Sequence, residues 1–140
     1  MSAEENKALV LHRLEVEERE GPEAVLDVYD PACSFPDLAF YGLPPTLDGY
    51  LQFMAGASAA FSDFSTTVEA IVAEGDMVML WGTQQATHTG TWRTIPATNK
   101  QVVYRVVGRY RLAAGKIIEH RFLIDSLGFL QQVGAIPSAG

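Results

Sequence analysis

The pattern of apolar and polar positions divides the chain into a helical first half and a stranded second half. Between residues 3 and 20, Leu9, Val10, Leu14 and Val16 form an apolar stripe at helical spacing. Glu15, Glu17, Glu18 and Arg19 are expected on the solvent side. Gly21-Pro22 ends that helix and opens a second over about 23–29, which buries Val25, Leu26 and Tyr29. Asp30-Pro31 is expected to close it, because a residue before proline is pushed out of the helical region. A short extended piece, 33–37, and a loop, 38–46, lead to a third helix over about 47–61. Tyr50, Leu51, Met54, Ala57 and Phe61 form its inner face.

From residue 65 the period shortens to two. Strands are expected over 66–73 and 77–87, joined by a turn at Glu74-Gly75-Asp76. Val78, Leu80, Gly82, Gln84, Ala86 and His88 share one face of the second, because side chains alternate across a strand. After a long connection, 90–100, the block 101–134 reads as two strands around a turn at 113–116, followed by a short helix. Val102, Tyr104, Val106, Gly108, Tyr110 and Leu112 face inward on the first of these strands, and Arg105, Arg109 and Arg111 face outward as solvated charges. On the next strand Ile118, His120, Phe122 and Ile124 are expected inside, with Glu119, Arg121, Leu123 and Asp125 outside. Asp125 stands where an N-cap is needed and Gly134 where the closing helix should stop. Helices followed by strands give an α+β fold, expected as one domain over 1–140.

Composition narrows the function classes. With 140 residues, 48% hydrophobic and 19% charged, the chain is long and apolar enough to bury its own core. A net charge of -7 argues against a nucleic-acid partner. No apolar run approaches the ~20 residues of a membrane span. The opening MSAEENKALV lacks the basic and apolar regions of a signal peptide, so a cytoplasmic location is expected. Cys33 is the only cysteine, which excludes an internal disulfide and fits a reducing compartment. It has no neighbouring cation in sequence to activate a thiol. With His12, His88 and His120 scattered, no zinc-type spacing exists and no metal is expected. No Gly-rich phosphate loop is present, and no cofactor is expected.

Several short blocks carry a resemblance: Tyr29-Asp30-Pro31, Ala60-Phe61-Ser62-Asp63, Val68-Glu69, Glu74-Gly75-Asp76 and Thr87-His88-Thr89-Gly90. Ile95-Pro96-Ala97-Thr98, the run from Gly115 to His120 (GKIIEH) and the run from Leu127 to Gly134 (LGFLQQVG) complete it. In order and spacing, over roughly residues 6 to 136, the chain resembles the SnoaL-like family of cofactor-free polyketide cyclases, within the nuclear transport factor 2-like superfamily. The resemblance implies a cone: a curved antiparallel sheet wrapped on three N-terminal helices, a short C-terminal helix and an apolar pocket in the mouth. This is the nuclear transport factor 2-like, or cystatin-like, α+β barrel. The resemblance also implies a homodimer, for which Met77, Met79, Trp81, Val103 and Val107 offer outward apolar surface. Relatives in the superfamily include ketosteroid isomerases, scytalone dehydratases and limonene-type epoxide hydrolases, so the reaction must be argued from the site.

The cyclase members carry a general-base aspartate on the last strand, and that position here is Phe122. Their inward polar partner on the preceding strand falls on Gly108. Asp37 is the leading replacement base: ketosteroid isomerases look similar there. Flanking Phe35, Pro36, Leu38, Phe40 and Tyr41 should desolvate it and raise its pKa. Asp63 is a candidate second carboxylate, as in epoxide-opening members. His88 and His120 have inward parity and can exchange a proton near neutral pH. Asp37, His88 and Asp63 are therefore the expected catalytic set, and Gln84, Tyr104, Tyr110, His120, Phe122 and Tyr41 the expected substrate contacts. The expected function is cofactor-independent proton transfer on an apolar, polyketide- or polycycle-like molecule: a cyclase, isomerase or dehydratase. Alternatives are a binding module that kept the pocket without the chemistry, and an epoxide hydrolase using paired carboxylates.

Overall fold

In a computed structural model, which describes residues 1–137, the first helix, α1 (Ala3–Glu20), is set by a reciprocal cap. Ser2 accepts from the Glu5 amide while Glu5 accepts from the Ser2 amide. The second expected helix is a 3-10 turn, Pro22–Val28. Tyr29 leaves it in extended conformation to begin β1 (Tyr29–Ser34). Asp30-Pro31 thus lies inside a strand rather than at a helix end. A second 3-10 turn, Pro36–Tyr41, occupies the expected loop. Helix α2 (Leu47–Ala60) is capped by Thr46, which accepts from the Gly49 amide.

The remaining strands are β2 (Phe61–Glu74), β3 (Met77–His88), β4 (Gln101–Ala113) and β5 (Lys116–Ile124), followed by α3 (Ser126–Gln132). The sheet runs β1-β5-β4-β3-β2, antiparallel throughout except that β1 pairs parallel with β5. It is therefore a mixed α+β sheet rather than a purely antiparallel one. Register shifts interrupt β2 twice and the β4–β5 hairpin once, and such bulges add twist and curvature.

The hairpin bulge changes which residues face inward. Leu112 pairs with Ile117 but Arg111 pairs with Glu119, so Ile118 is the extra residue. Ile117 takes the fully buried position expected for Ile118, and strict alternation resumes only at His120. Elsewhere parity holds: Val78, Leu80, Ala86 and His88 on β3, and Val102, Tyr104, Tyr110 and Leu112 on β4, are all buried. The outward arginines are not free charges, since Arg105 meets Asp125, Arg109 meets Glu119 and Arg111 meets Asp76.

A main core of Val10, Val25, Phe35, Leu38, Val78, Leu112 and Ile117 joins α1 and β1 to the sheet. A smaller cluster, Ala86, Val102, Tyr104, Phe129 and Val133, seats α3. α1 departs most from expectation. Besides Val10 it buries Asn6, Arg13 and Glu17, so Glu17 points inward, opposite to the solvent-side reading.

Candidate active site

Between the inner face of the sheet and helices α1 and α2 lies a cavity of about 380 Å³. Its walls are largely aromatic. Phe53 from α2, Phe122 from β5 and Tyr41 from the second 3-10 turn pack together, with Phe53 and Tyr41 rings 5.4 and 6.2 Å from Phe122. Trp92, from the connection between β3 and β4, packs on Phe53 and Phe61 at 5.7 and 5.5 Å. Arg93 beside it donates to the Tyr41 carbonyl at 3.2 Å, holding that connection to the 3-10 turn.

The polar part of the lining is concentrated on α1, α2 and the β4–β5 hairpin. Arg13 and Glu17, one helical turn apart on α1, form a buried ion pair. Arg13 also donates from Nη2 to the Tyr110 hydroxyl at 2.7 Å and from Nη1 to the Tyr29 hydroxyl at 3.2 Å. Tyr50 donates to the other oxygen of Glu17. The Tyr29 hydroxyl lies 3.3 Å from Nδ1 of His120. Burial holds the Tyr29, Tyr50 and Tyr110 hydroxyls above their ordinary range, so all three keep their protons. His120 is pushed well below 6.5, first by burial and second by the Arg13 charge, and its imidazole is neutral.

The proton positions follow from these partners. Arg13 can only donate, so Tyr29 accepts from it, and its own proton is assigned to the bond with His120 Nδ1, whose sense the imidazole tautomer sets. A neutral imidazole that accepts at Nδ1 carries its proton on Nε2, by assignment from the network. Nε2 has no protein partner among the described residues, and His120 lines the cavity. Tyr110 likewise accepts from Arg13, and its proton has no protein acceptor among the described residues. The His120 and Tyr110 rings pack 4.4 Å apart, both line the cavity, and the Tyr110 hydroxyl is held by the Arg13 guanidinium.

The structure places all six expected contact residues, Gln84, Tyr104, Tyr110, His120, Phe122 and Tyr41, on the cavity lining. The three expected catalytic residues are elsewhere. Asp37 faces Arg121, accepting from its Nε at 2.9 Å and its Nη2 at 3.0 Å, and also accepts the Phe122 amide at 2.9 Å. Burial opposes its ionisation, but those hydrogen bonds and the charges of Arg121 and Arg109 outweigh it, so its pKa falls instead of rising. Asp37 is a clasp between the second 3-10 turn and β5. Asp63 is exposed, at φ 54° in the first bulge of β2, and is no partner for Asp37. His88 is fully buried outside the cavity, with Nδ1 3.0 Å from Thr98 Oγ1. Its burial lowers its pKa, and its backbone pairs with Lys100 and Asn99 to fasten the β3–β4 connection.

Arg13, Glu17 and Tyr29, which the sequence reading does not single out as site residues, form the buried polar network beside the cavity. A signal existed: Asn6, Val10, Arg13 and Glu17 follow one helical stripe, which places two opposite charges on the buried face. Among the described residues, no group of three His, Cys, Asp or Glu side chains is placed to hold a metal ion. No helix among them is long and apolar enough to cross a membrane.

An effect of the Asp37 clasp can be checked directly. Asp37→Asn is expected to lower stability at neutral pH while leaving ligand affinity within about twofold. A carboxylate with a depressed pKa stabilises above its unfolded value of about 4 and loses that contribution as pH falls through the folded one. The stability gap between wild type and variant should therefore close in acid, measured by thermal unfolding across pH.

Comparison with known proteins agrees with this architecture. The model of the SnoaL-like polyketide cyclase family matches residues 8–133. No curated protein sequence matches the chain. Among solved structures, AclR from Streptomyces galilaeus, a proposed hydroxylase, superposes with a TM-score of 0.88 at 27% identity, covering 99% of this chain and 87% of that one. A proposed SnoaL-like polyketide cyclase from Jannaschia sp. CCS1 gives 0.82 at 20% identity, covering 96% and 95%. IdmH from Streptomyces antibioticus, a proposed polyketide cyclase, gives 0.79 at 22% identity, covering 92% and 98%. The family match over most of the chain and the shared fold lead to one conclusion: the chain belongs to the SnoaL-like polyketide cyclase family.

Proposed function

We propose that the protein is a cofactor-independent enzyme that promotes proton transfer on an apolar, polycyclic, carbonyl-bearing substrate. The observation that carries this reading is that His120 and Tyr110 pack together on the cavity lining with Arg13 bonded to the Tyr110 hydroxyl, and we assign His120 Nε2–H and Tyr110 O–H as a donor pair. A carbonyl oxygen placed between these donors would gain most as negative charge develops on it, which lowers the cost of removing a proton from the adjacent carbon. A neutral imidazole can fill this place because one ring nitrogen donates while the other accepts. The aromatic walls would hold a planar ring system by stacking, which is worth about 0.5–1.5 kcal/mol per pair beyond burial.

The acceptor of the carbon-bound proton is assigned to the Tyr50–Glu17 pair. Glu17 and Glu18 are the carboxylates that line the cavity among the described residues, and Tyr50 lines it while donating to Glu17. A proton taken by the Tyr50 oxygen would be matched by transfer of the Tyr50 proton to Glu17, leaving a neutral acid and an enolate on the donor pair. AclR, at 27% identity, is a proposed hydroxylase. Neither Asp37 nor Asp63 lines the cavity, which disfavours epoxide opening by that pair of carboxylates.

Deuterium exchange tests the reading without knowledge of the product. Anthrone, a tricyclic ketone with an acidic methylene, is incubated with the protein in heavy water and its exchange followed by NMR. Catalysed exchange is expected, abolished by Tyr50→Phe, which keeps the Arg13–Glu17 pair, with binding retained. Binding without exchange in the wild type would favour a binding module, a second reading to which Phe122 at the cavity wall lends itself.

We also propose a homodimer formed through the outer sheet face. Met79, Trp81 and Val103 are exposed there, and the adjoining arginines are neutralised by their own carboxylates. Light scattering at micromolar concentration is expected to give twice the chain mass of 15.3 kDa, and Trp81→Glu to give the monomer.

A further inference from the structure

Gly108 and Tyr110 lie two residues apart on the inward face of β4. A β-carbon built on Gly108 would stand 3.0 Å from both Oη and Cε2 of Tyr110 and 3.3 Å from its Cζ. Comfortable carbon contacts begin at about 3.5 Å. The tyrosine ring therefore lies back along its own strand, over the residue that has no side chain. Gly108 is not in the left-handed backbone region, so its conformation does not call for glycine here. The ring lying over it does.

We infer that Gly108 is a positioning residue for the enolate- or phenolate-binding donor pair: its missing side chain is the space that lets Tyr110 bring its hydroxyl to Arg13. The role rests on the oxyanion-stabilising function proposed above for Tyr110. The ring has little freedom to retreat. His120 packs against it at 4.4 Å between centroids, and the Arg13 guanidinium carbon lies 5.0 Å from its centre. Rotation about χ1 to relieve a contact at Gly108 moves the hydroxyl more than the rest of the ring, since it is the atom farthest from the backbone. The 2.7 Å bond to Arg13 would lengthen, and the hydroxyl would shift relative to the His120 ring packed beside it. Phe122, paired directly with Gly108 across the β4–β5 ladder, would then border a floor with one donor instead of two.

Alizarin, a planar hydroxyanthraquinone whose ionisation changes its colour, separates this role from a merely structural one. The dye is bound to wild type, Tyr110→Phe, Gly108→Ala and the double variant, and its absorbance is followed through the pH range of its ionisation. Wild type is expected to hold the dye as its anion to a pH about one unit lower than Tyr110→Phe does, a tenfold change in the ionisation equilibrium. Gly108→Ala is expected to lose most of that difference, and to add nothing in the Tyr110→Phe background. A Gly108→Ala curve that coincides with wild type, or losses that simply add in the double variant, overturns the positioning role while leaving the donor pair intact. If wild type and Tyr110→Phe give the same curve, the oxyanion role itself falls, and that of Gly108 with it. Should Gly108→Ala be too unstable to titrate, Tm values of Tyr110→Ala and Gly108→Ala/Tyr110→Ala decide. Equal values are expected, because the clashing ring is gone; a further drop caused by the added methyl overturns the inference.

Discussion

Replacing Arg13 with Met is expected to cost about 3–5 kcal/mol of stability, the effect of breaking a buried ion pair and stranding one partner. Arg13 and Glu17 have side-chain exposures of 2% and 4%, so water cannot take over the lost hydrogen bonds. The variant also leaves the Tyr29 and Tyr110 hydroxyls without their donor. Against a total stability of about 5–15 kcal/mol for a typical domain, the loss should lower Tm by roughly 10 °C or more. The double variant Arg13→Met/Glu17→Leu should recover part of it, because replacing both charges by apolar groups removes the stranded carboxylate. Thermal unfolding of the three proteins checks this. A double variant less stable than Arg13→Met alone would show that Glu17 is held by Tyr50 rather than by the pair.

His120→Phe is expected to lower turnover about 10²–10³-fold, the range seen when one oxyanion-stabilising donor is removed. A flat aromatic ring is retained at the cavity wall, so substrate affinity should change far less than the rate. The same variant should change the pH dependence of stability. In the unfolded chain a histidine titrates near 6.5, whereas folded His120 titrates well below it. Between those two values the unfolded chain holds a proton that the folded chain does not. Stability contributed by the neutral histidine is therefore complete above about 6.5 and declines as pH falls below it, by up to about 1.4 kcal/mol per pH unit for one proton. His120→Phe should flatten this decline, leaving the smaller share from His88, which burial also lowers. An unchanged acid limb in denaturant or thermal titrations would count against a buried neutral His120.

The cavity wall and the cavity's charged end were legible to different degrees. Gln84, Tyr104, Tyr110, His120 and Phe122 reach the lining because strand alternation is a local geometric rule, and it held wherever no bulge intervened. At Ile117 and Ile118 one inserted residue reversed it, and nothing in the residue types announces that insertion. Asp37 shows a different kind of difficulty. Its apolar flanks promised a desolvated acid, but a carboxylate's pKa depends on which cation arrives, and Arg121 is 84 positions away in the chain.

The sequence alone determined a helical first half followed by a strand meander and a closing helix, the inward face of the strands away from bulges, the caps at Asp125 and Gly134, and a resemblance to an α+β family with a pocket. These follow from periodicity and local hydrogen bonding, which act over a few residues. Only the tertiary structure decided that Glu17 turns inward, that Asp37 is a clasp rather than a base, and that Tyr110 lies over Gly108 to meet Arg13. The physical reason is that burying a charge is tolerable only when its partners converge on it, and those partners come from separate elements of the fold.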